Sequence, residues 1–270
     1  MNLVANARMY AVTAAADAGW KELFAWLSRR SSVPLEAIDH AFPAPLSQLW
    51  SRPDLGCAFM CGFAYLRSPY PPKPIAAPVP SSARFGGRAV YMTDLVVRAD
   101  SAFRTLEDTF GQRLGYTVED SHSGYNALRH HLLPFRRERG SSLYRASIGP
   151  LHTPRRVLDA VLACDIDVGP LDSYGLDLML RHEPELRRLI RIVATTDPAP
   201  IPFLVASAGC PDGIVDRLRT ALQEFGEAAE CATLRGQLGL VKFVPVSRRD
   251  YGLISHWARQ AEAAGYDRPA

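Results

Sequence analysis

No stretch of this chain comes near the run of about 18 apolar residues that a membrane-spanning helix needs, so nothing in it reads as a membrane span. Charge of one sign is also missing. The net charge is +3 over 270 residues, and Lys and Arg are scattered apart from short clusters such as Arg136, Arg137 and Arg139. A nucleic-acid binder is expected to carry a basic groove interleaved with aromatics, and none is legible here. The five cysteines (Cys57, Cys61, Cys164, Cys210, Cys231) are odd in number and widely spread, which argues for reduced, buried thiols and against a disulfide framework. Cys57 and Cys61 lie close together, but no second Cys or His pair follows at zinc spacing, so packing is the better account and no metal is assigned. Nucleophile elbow, nucleotide-phosphate loop and internal repeat are all lacking, so neither a catalytic residue nor a cofactor is assigned. The stretch from Met1 to Leu27 does not have a basic start followed by an unbroken apolar core, because Asn6, Arg8, Asp17 and Lys21 interrupt it. Two compartments stay open on that ground: the periplasm if a leader was removed, the cytoplasm otherwise.

What is present is ordinary globular composition, 47% apolar and 22% charged. A length of 270 residues makes two lobes the natural expectation. Trp20, Leu23, Phe24 and Leu27 recur at helical spacing and predict a helix over 14–30, after a short strand over 7–13. Six prolines in 69–82 exclude a helix there and predict a surface excursion. Further along, strands are expected at 55–66, 91–98, 113–118, 144–148, 166–171, 190–195 and 203–206. Helices are expected at 101–111, from 123 onward, at 153–163, through 180, at 212–225 and at 249–264. Strands alternating with helices imply a helix-covered, mainly parallel sheet.

Three strand-to-helix junctions are polar. Glu119-Asp120-Ser121-His122-Ser123-Gly124-Tyr125 combines hydroxyls, a small residue and the free N–H groups of a helix start, the makings of an anion site. Capping by Ser121 or Ser123 accounts for the same residues. Asp172 arrives at the carboxyl end of a buried strand, where ligands of open α/β sheets sit, yet an N-cap explains it equally. His152, in Gly149-Pro150-Leu151-His152-Thr153, is a ligand donor or a plain surface residue. Convergence of the three on one sheet edge would make a cleft.

In their order and spacing these segments resemble the phosphate/phosphite/phosphonate-binding proteins of ABC importers. Val96-Val97-Arg98-Ala99-Asp100-Ser101 with Leu106 and Gly111 is similar to the family's opening of its second lobe. Ser121 to Tyr125 is similar to its hydroxyl-rich anion loop, His152 to its Gly-Ser-His turn, and residues 167–172, 191–196 and 200–203 to later segments. Met9-Tyr10 and Cys61-Gly62-Phe63-Ala64-Tyr65 resemble first-lobe segments, so the likeness runs from about Arg8 to Tyr251. It implies a two-lobed α/β fold of the type II periplasmic-binding-protein kind, with mixed, mainly parallel sheets and helices on both faces. One lobe would hold 1–92 and 203–270, the other 93–202, with hinges near 91–95 and 199–205. By the same resemblance, Ser121, Ser123 and the amides around Gly124 hold an oxyanion and Tyr10, Tyr65 and Tyr125 line the cleft. His152 and Asp172 set ligand identity. His122 stands where the family has a small hydroxyl residue, which predicts a smaller or pH-responsive pocket. The implied function is a solute-binding protein closing on a phosphonate-, phosphate- or carboxylate-like anion and serving the membrane subunits of an importer. Two alternatives stay open: a cytosolic decarboxylase- or lyase-type enzyme on the same scaffold, with His122, His152 and Asp172 as acid–base groups, and a sensor that reports ligand to a partner.

Overall fold

A computed structural model describes residues 2–270. The chain divides into two compact units, residues 1–90 with 200–250, and residues 91–199 with 251–270.

The first unit is built on a six-stranded mixed sheet. In order across the sheet its strands are Leu240–Val244, Lys73–Pro80, Phe203–Ala206, Leu55–Met60, Leu3–Asn6 and Leu35–Ala37. Leu3–Asn6 runs parallel to both of its neighbours, while the strands at 203–206 and 240–244 return antiparallel. Helix Ala14–Ser31 starts where Thr13 Oγ1 accepts the Ala16 N–H, and it buries the expected stripe Trp20, Leu23, Phe24 and Leu27. Trp20 and Tyr10 pack around Phe59, with ring centroids 4.8 and 4.9 Å away in edge-on geometry favoured by aromatic quadrupoles.

Four expectations change on this scaffold. The first strand lies at Leu3–Asn6, ahead of the region expected. The proline-rich stretch is no surface excursion, since Lys73–Pro80 is a mostly buried strand in the interior of the sheet. Proline forbids helix but fits extended backbone, and the ladders to both neighbours shift register along it, as a strand short of N–H donors requires. Arg219, from helix Asp212–Glu224, donates to the carbonyls of Pro74 and Ile75. Among the cysteines, Cys57, Cys61, Cys210 and Cys231 are buried as expected, but Cys164 is exposed. Finally, the helix Gly252–Ala263 lies in the second unit and not with 203–250, because it packs on helix Ala127–Arg139.

In the second unit an antiparallel sheet runs Ile190–Thr195, Thr93–Arg98, Gly169–Asp172. A parallel pair, Arg113–Gly115 with Ala146–Ile148, continues beside it through a bridge from Leu114 to Val168. The core gathers Leu95, Val97, Leu114, Leu128, Leu132, Val168 and, from the C-terminal segment, Tyr266. No long helix forms over 101–111. The Asp108 carboxylate accepts the N–H groups of Arg104 and Thr105 at 2.7 and 2.9 Å, and that local turn leaves only the short 3₁₀ element Glu107–Thr109. Among the described residues no helix is long and apolar enough to cross a membrane.

Candidate functional site

The helix expected from residue 123 begins with a wide turn. Ser121 Oγ accepts the Gly124 N–H at 3.0 Å and the Ser121 carbonyl accepts the Asn126 N–H at 3.1 Å, an i to i+5 closure. The turn His122–Asn126 then runs into Ala127–Arg139. Ser121 is therefore a cap, which commits the Gly124 amide to the protein. Its hydroxyl proton stays available to a second acceptor, because the cap uses only a lone pair. The Ser123 N–H precedes the first acceptor that a helix can offer it. No side chain of the described residues holds the half-buried Ser123 hydroxyl, while Thr93 Oγ1 donates to the Ser123 carbonyl at 2.9 Å.

Gly124 is required for a steric reason. A Cβ there would lie 1.9 Å from Thr117 Oγ1, so only glycine lets Thr117 close over the turn. Thr117 is 5% exposed and its hydroxyl has no hydrogen-bond partner among the described residues. Its backbone is committed on both sides: the N–H donates to the Gly124 carbonyl at 3.3 Å and the carbonyl accepts the His152 N–H at 3.0 Å. His152 is thereby held one peptide from the turn, with its side chain exposed and its backbone at φ 69°.

Asp172 reaches the same end of the unit from its strand, where Thr93 is its register partner. Its Oδ1 accepts the Gly175 N–H at 2.8 Å, the N-cap of helix Ser173–His182. Ser123, Thr93 and Asp172 thus form one connected series, and Ser121, Gly124, Thr117 and His152 another, both meeting in residues 121–125.

The remaining expected residues are placed differently. Tyr125 packs edge-on against Tyr116 at 5.4 Å, but its hydroxyl donates to the Asp267 carbonyl at 2.5 Å, so the phenol is turned to the C-terminal segment. His122 is no pH-responsive pocket residue. It is 1% exposed, bonded through Nδ1 to the Asn126 side-chain amide and stacked on Trp257. Burial first, and the nearby His130 second, push its pKa down to about 3, which keeps the ring neutral at physiological pH. Tyr10 and Tyr65 belong to the first unit and are buried there, Tyr10 on Phe59, and Tyr65 on Phe203 with Arg248 over its ring. Thr117, Thr93, Asn126 and Arg129 were not singled out by sequence. The hydroxyls of Thr93 and Thr117 are ordinary strand residues in the one-dimensional pattern, and only folding brings them to the helix start. No cluster of three or more His, Cys, Asp or Glu side chains arranged to hold a metal ion occurs among the described residues.

Several solved proteins share this fold. A binding protein component of an ABC phosphonate transporter from Pseudomonas aeruginosa matches with a TM-score of 0.81 and 16% identity, over 97% of this chain and 88% of that one. PhnD1 of Prochlorococcus marinus in complex with methylphosphonate matches with a TM-score of 0.75 and 15% identity, over 96% and 98%. A Xanthomonas citri protein bound to ATP gives 0.66 and 21%, over 97% and 98%. No curated protein sequence matches the chain. The sequence profile described as ABC transporter, phosphonate, periplasmic substrate-binding protein matches residues 12–251. With nearly its whole length covered by that profile and its fold that of the type II periplasmic-binding proteins, the chain belongs to the phosphonate-binding family of ABC-transporter substrate-binding proteins.

Proposed function

We propose that this solute-binding protein holds a small oxyanion, phosphonate- or phosphate-like or a small carboxylate, at the helix start 121–125 of its second unit. The observation that carries the proposal is the buried Thr117 hydroxyl, lacking a protein partner and pressed against Gly124 where the helix begins. Around it lie the Ser123 hydroxyl and N–H, the Ser121 hydroxyl proton and the positive end of the helix dipole, all of which favour an anion. Asp172 and His152, both tied to this turn, set which anion is accepted: Asp172 disfavours surplus negative charge and favours a ligand amine, and the exposed imidazole of His152 supplies a donor. Tyr10 and Tyr65 act through the first unit's packing, and His122 through the support of the turn.

Family membership supports the wider setting, in which the ligand is delivered in the periplasm to the membrane subunits of an ABC importer. Thermal unfolding of protein stripped of co-purified ligand, with phosphate, phosphite, methylphosphonate and small carboxylates added separately, tests the reading. A ligand at about 100 times its Kd stabilises by about 2.7 kcal/mol. At least one of these oxyanions is expected to raise Tm in this way, and no shift with any of them overturns the proposal.

A further inference from the structure

The turn at 121–126 does not hold its shape alone. Three residues of the first helical turns reach into the C-terminal segment, and their four bonds there all end on backbone carbonyls. Asn126 Nδ2 donates to the Ile254 carbonyl at 3.1 Å and also bonds His122 Nδ1. Arg129 Nη1 donates to the carbonyls of Tyr266 and Asp267 at 3.1 and 3.3 Å, and its Nη2 meets Asn126 Oδ1 at 3.4 Å. The Tyr125 hydroxyl donates to the same Asp267 carbonyl, and the Arg129 guanidinium lies 5.0 Å from the Tyr125 ring.

The chemistry of this network is unusual for a purely structural joint. Arg129 is 5% exposed, yet no carboxylate pairs with it among the described residues, and its Nε has no hydrogen-bond partner. A buried cation without a counter-charge is costly, and an apolar side chain of the same length would pack there at lower cost. What the guanidinium supplies and an apolar chain cannot is a rigid fork that grips carbonyls and Asn126 together.

We propose, resting on the anion-binding reading above, that Arg129 with Asn126 is the positioning element of the oxyanion site. It locks the wide turn 121–126 to residues 254–267, so that ligand affinity is governed from the C-terminal segment without any contact between Arg129 and the ligand. The hydroxyls of Ser121, Ser123 and Thr117 hold a converging geometry only while the turn keeps its i to i+5 closure, and that closure ends on Asn126 itself.

The test uses the full chain as Arg129→Met, Arg129→Lys and the control Arg155→Met, whose guanidinium pairs with Glu183 elsewhere in the same unit. Hydrogen–deuterium exchange of the ligand-free proteins reads the lock directly. Arg129→Met is expected to speed exchange in 121–127 and 266–267 and leave the strands 93–98 and 169–172 protected, with Arg129→Lys intermediate and Arg155→Met unchanged. Calorimetric titration with whichever of phosphate, phosphite or methylphosphonate stabilises the wild type then reads the coupling. Arg129→Met is expected to weaken binding about tenfold, the size of one net hydrogen bond. Unchanged exchange at 121–127 in a folded Arg129→Met overturns the lock, even if no oxyanion binds the wild type and the functional reading fails by itself. Faster exchange with wild-type affinity overturns the control of binding.

Discussion

The two units bury polar groups in very different ways. Among the described residues the first unit buries only Asn6, Ser31 and Ser207. The second buries Thr93, Asp94, Thr109, Thr117, His122, Asn126, Arg129, Asp172, Ser173 and Thr196. The core of the first is aromatic and aliphatic, assembled around Trp20, Tyr10 and Phe59. Burying a polar group is unfavourable unless its hydrogen bonds are made, so a fold that only needed stability would not concentrate them in one half. Most of the second unit's buried polar groups sit at strand ends and helix starts, where they cap, relay and orient. Under the proposed function, the aromatic core of the first unit serves stability and the buried polar groups of the second serve recognition.

The largest expected effect breaks the first unit without touching recognition. Phe59→Ala removes the ring on which Tyr10 and Trp20 pack and is expected to cost about 4 kcal/mol in urea unfolding, within the range for large core aromatics. The affinity of the molecules that remain folded should be unchanged. A loss of affinity to match would mean that the two units do not divide their roles in this way.

Gly124→Ala should couple what Phe59→Ala separates. Its Cβ would meet Thr117 at 1.9 Å, and overpacking of this kind costs about 3 kcal/mol. Here both the urea midpoint and oxyanion affinity should fall. Adding Thr117→Ala should restore much of the stability by removing the clash, but not the affinity, since the hydroxyl is gone. Recovery of both in the double variant would remove Thr117 from the site.

A smaller effect follows from His122. Burial keeps its folded pKa at about 3, below the ordinary imidazole value, so the unfolded chain takes up a proton below about pH 6.5 while the folded chain does not. Its contribution to stability is complete above that pH and is lost as pH falls toward 3, amounting to about 2 kcal/mol at pH 5. His122→Asn should flatten this part of the stability profile in denaturant titrations between pH 7 and 5. The flattening should be partial, because burial also lowers the pKa of His130 and His131. An unaltered slope would mean that His122 is hydrated in the folded state.

Much of this division was legible in one dimension. Helical spacing located Trp20, Leu23, Phe24 and Leu27, and the strands at 190–195 and 203–206 fall where apolar runs placed them. The polar junctions at 121–125, 152 and 172 were legible as strand-to-helix junctions, and caps of the kind expected form there at Ser121 and Asp172. What stayed hidden depends on tertiary partners. Lys73–Pro80 looks like a loop until its neighbours tolerate register shifts and Arg219 satisfies its carbonyls. Tyr125 has the sequence position of a pocket wall, but Asp267, more than a hundred residues away, captures its hydroxyl. His122 reads as a titrating group until Trp257 and Asn126 enclose it. Arg129 carries no local signal at all, being one arginine in a basic helix.

Amide shifts of ¹⁵N-labelled, ligand-stripped protein titrated with methylphosphonate or phosphate give the most direct test. Saturable shifts should be largest at Thr117, Ser121, Ser123 and Gly124, with smaller ones at His152, and they should vanish in Gly124→Ala while the rest of the spectrum stays folded. Saturable shifts confined to other residues, with 117–125 unmoved, would contradict an oxyanion at this helix start.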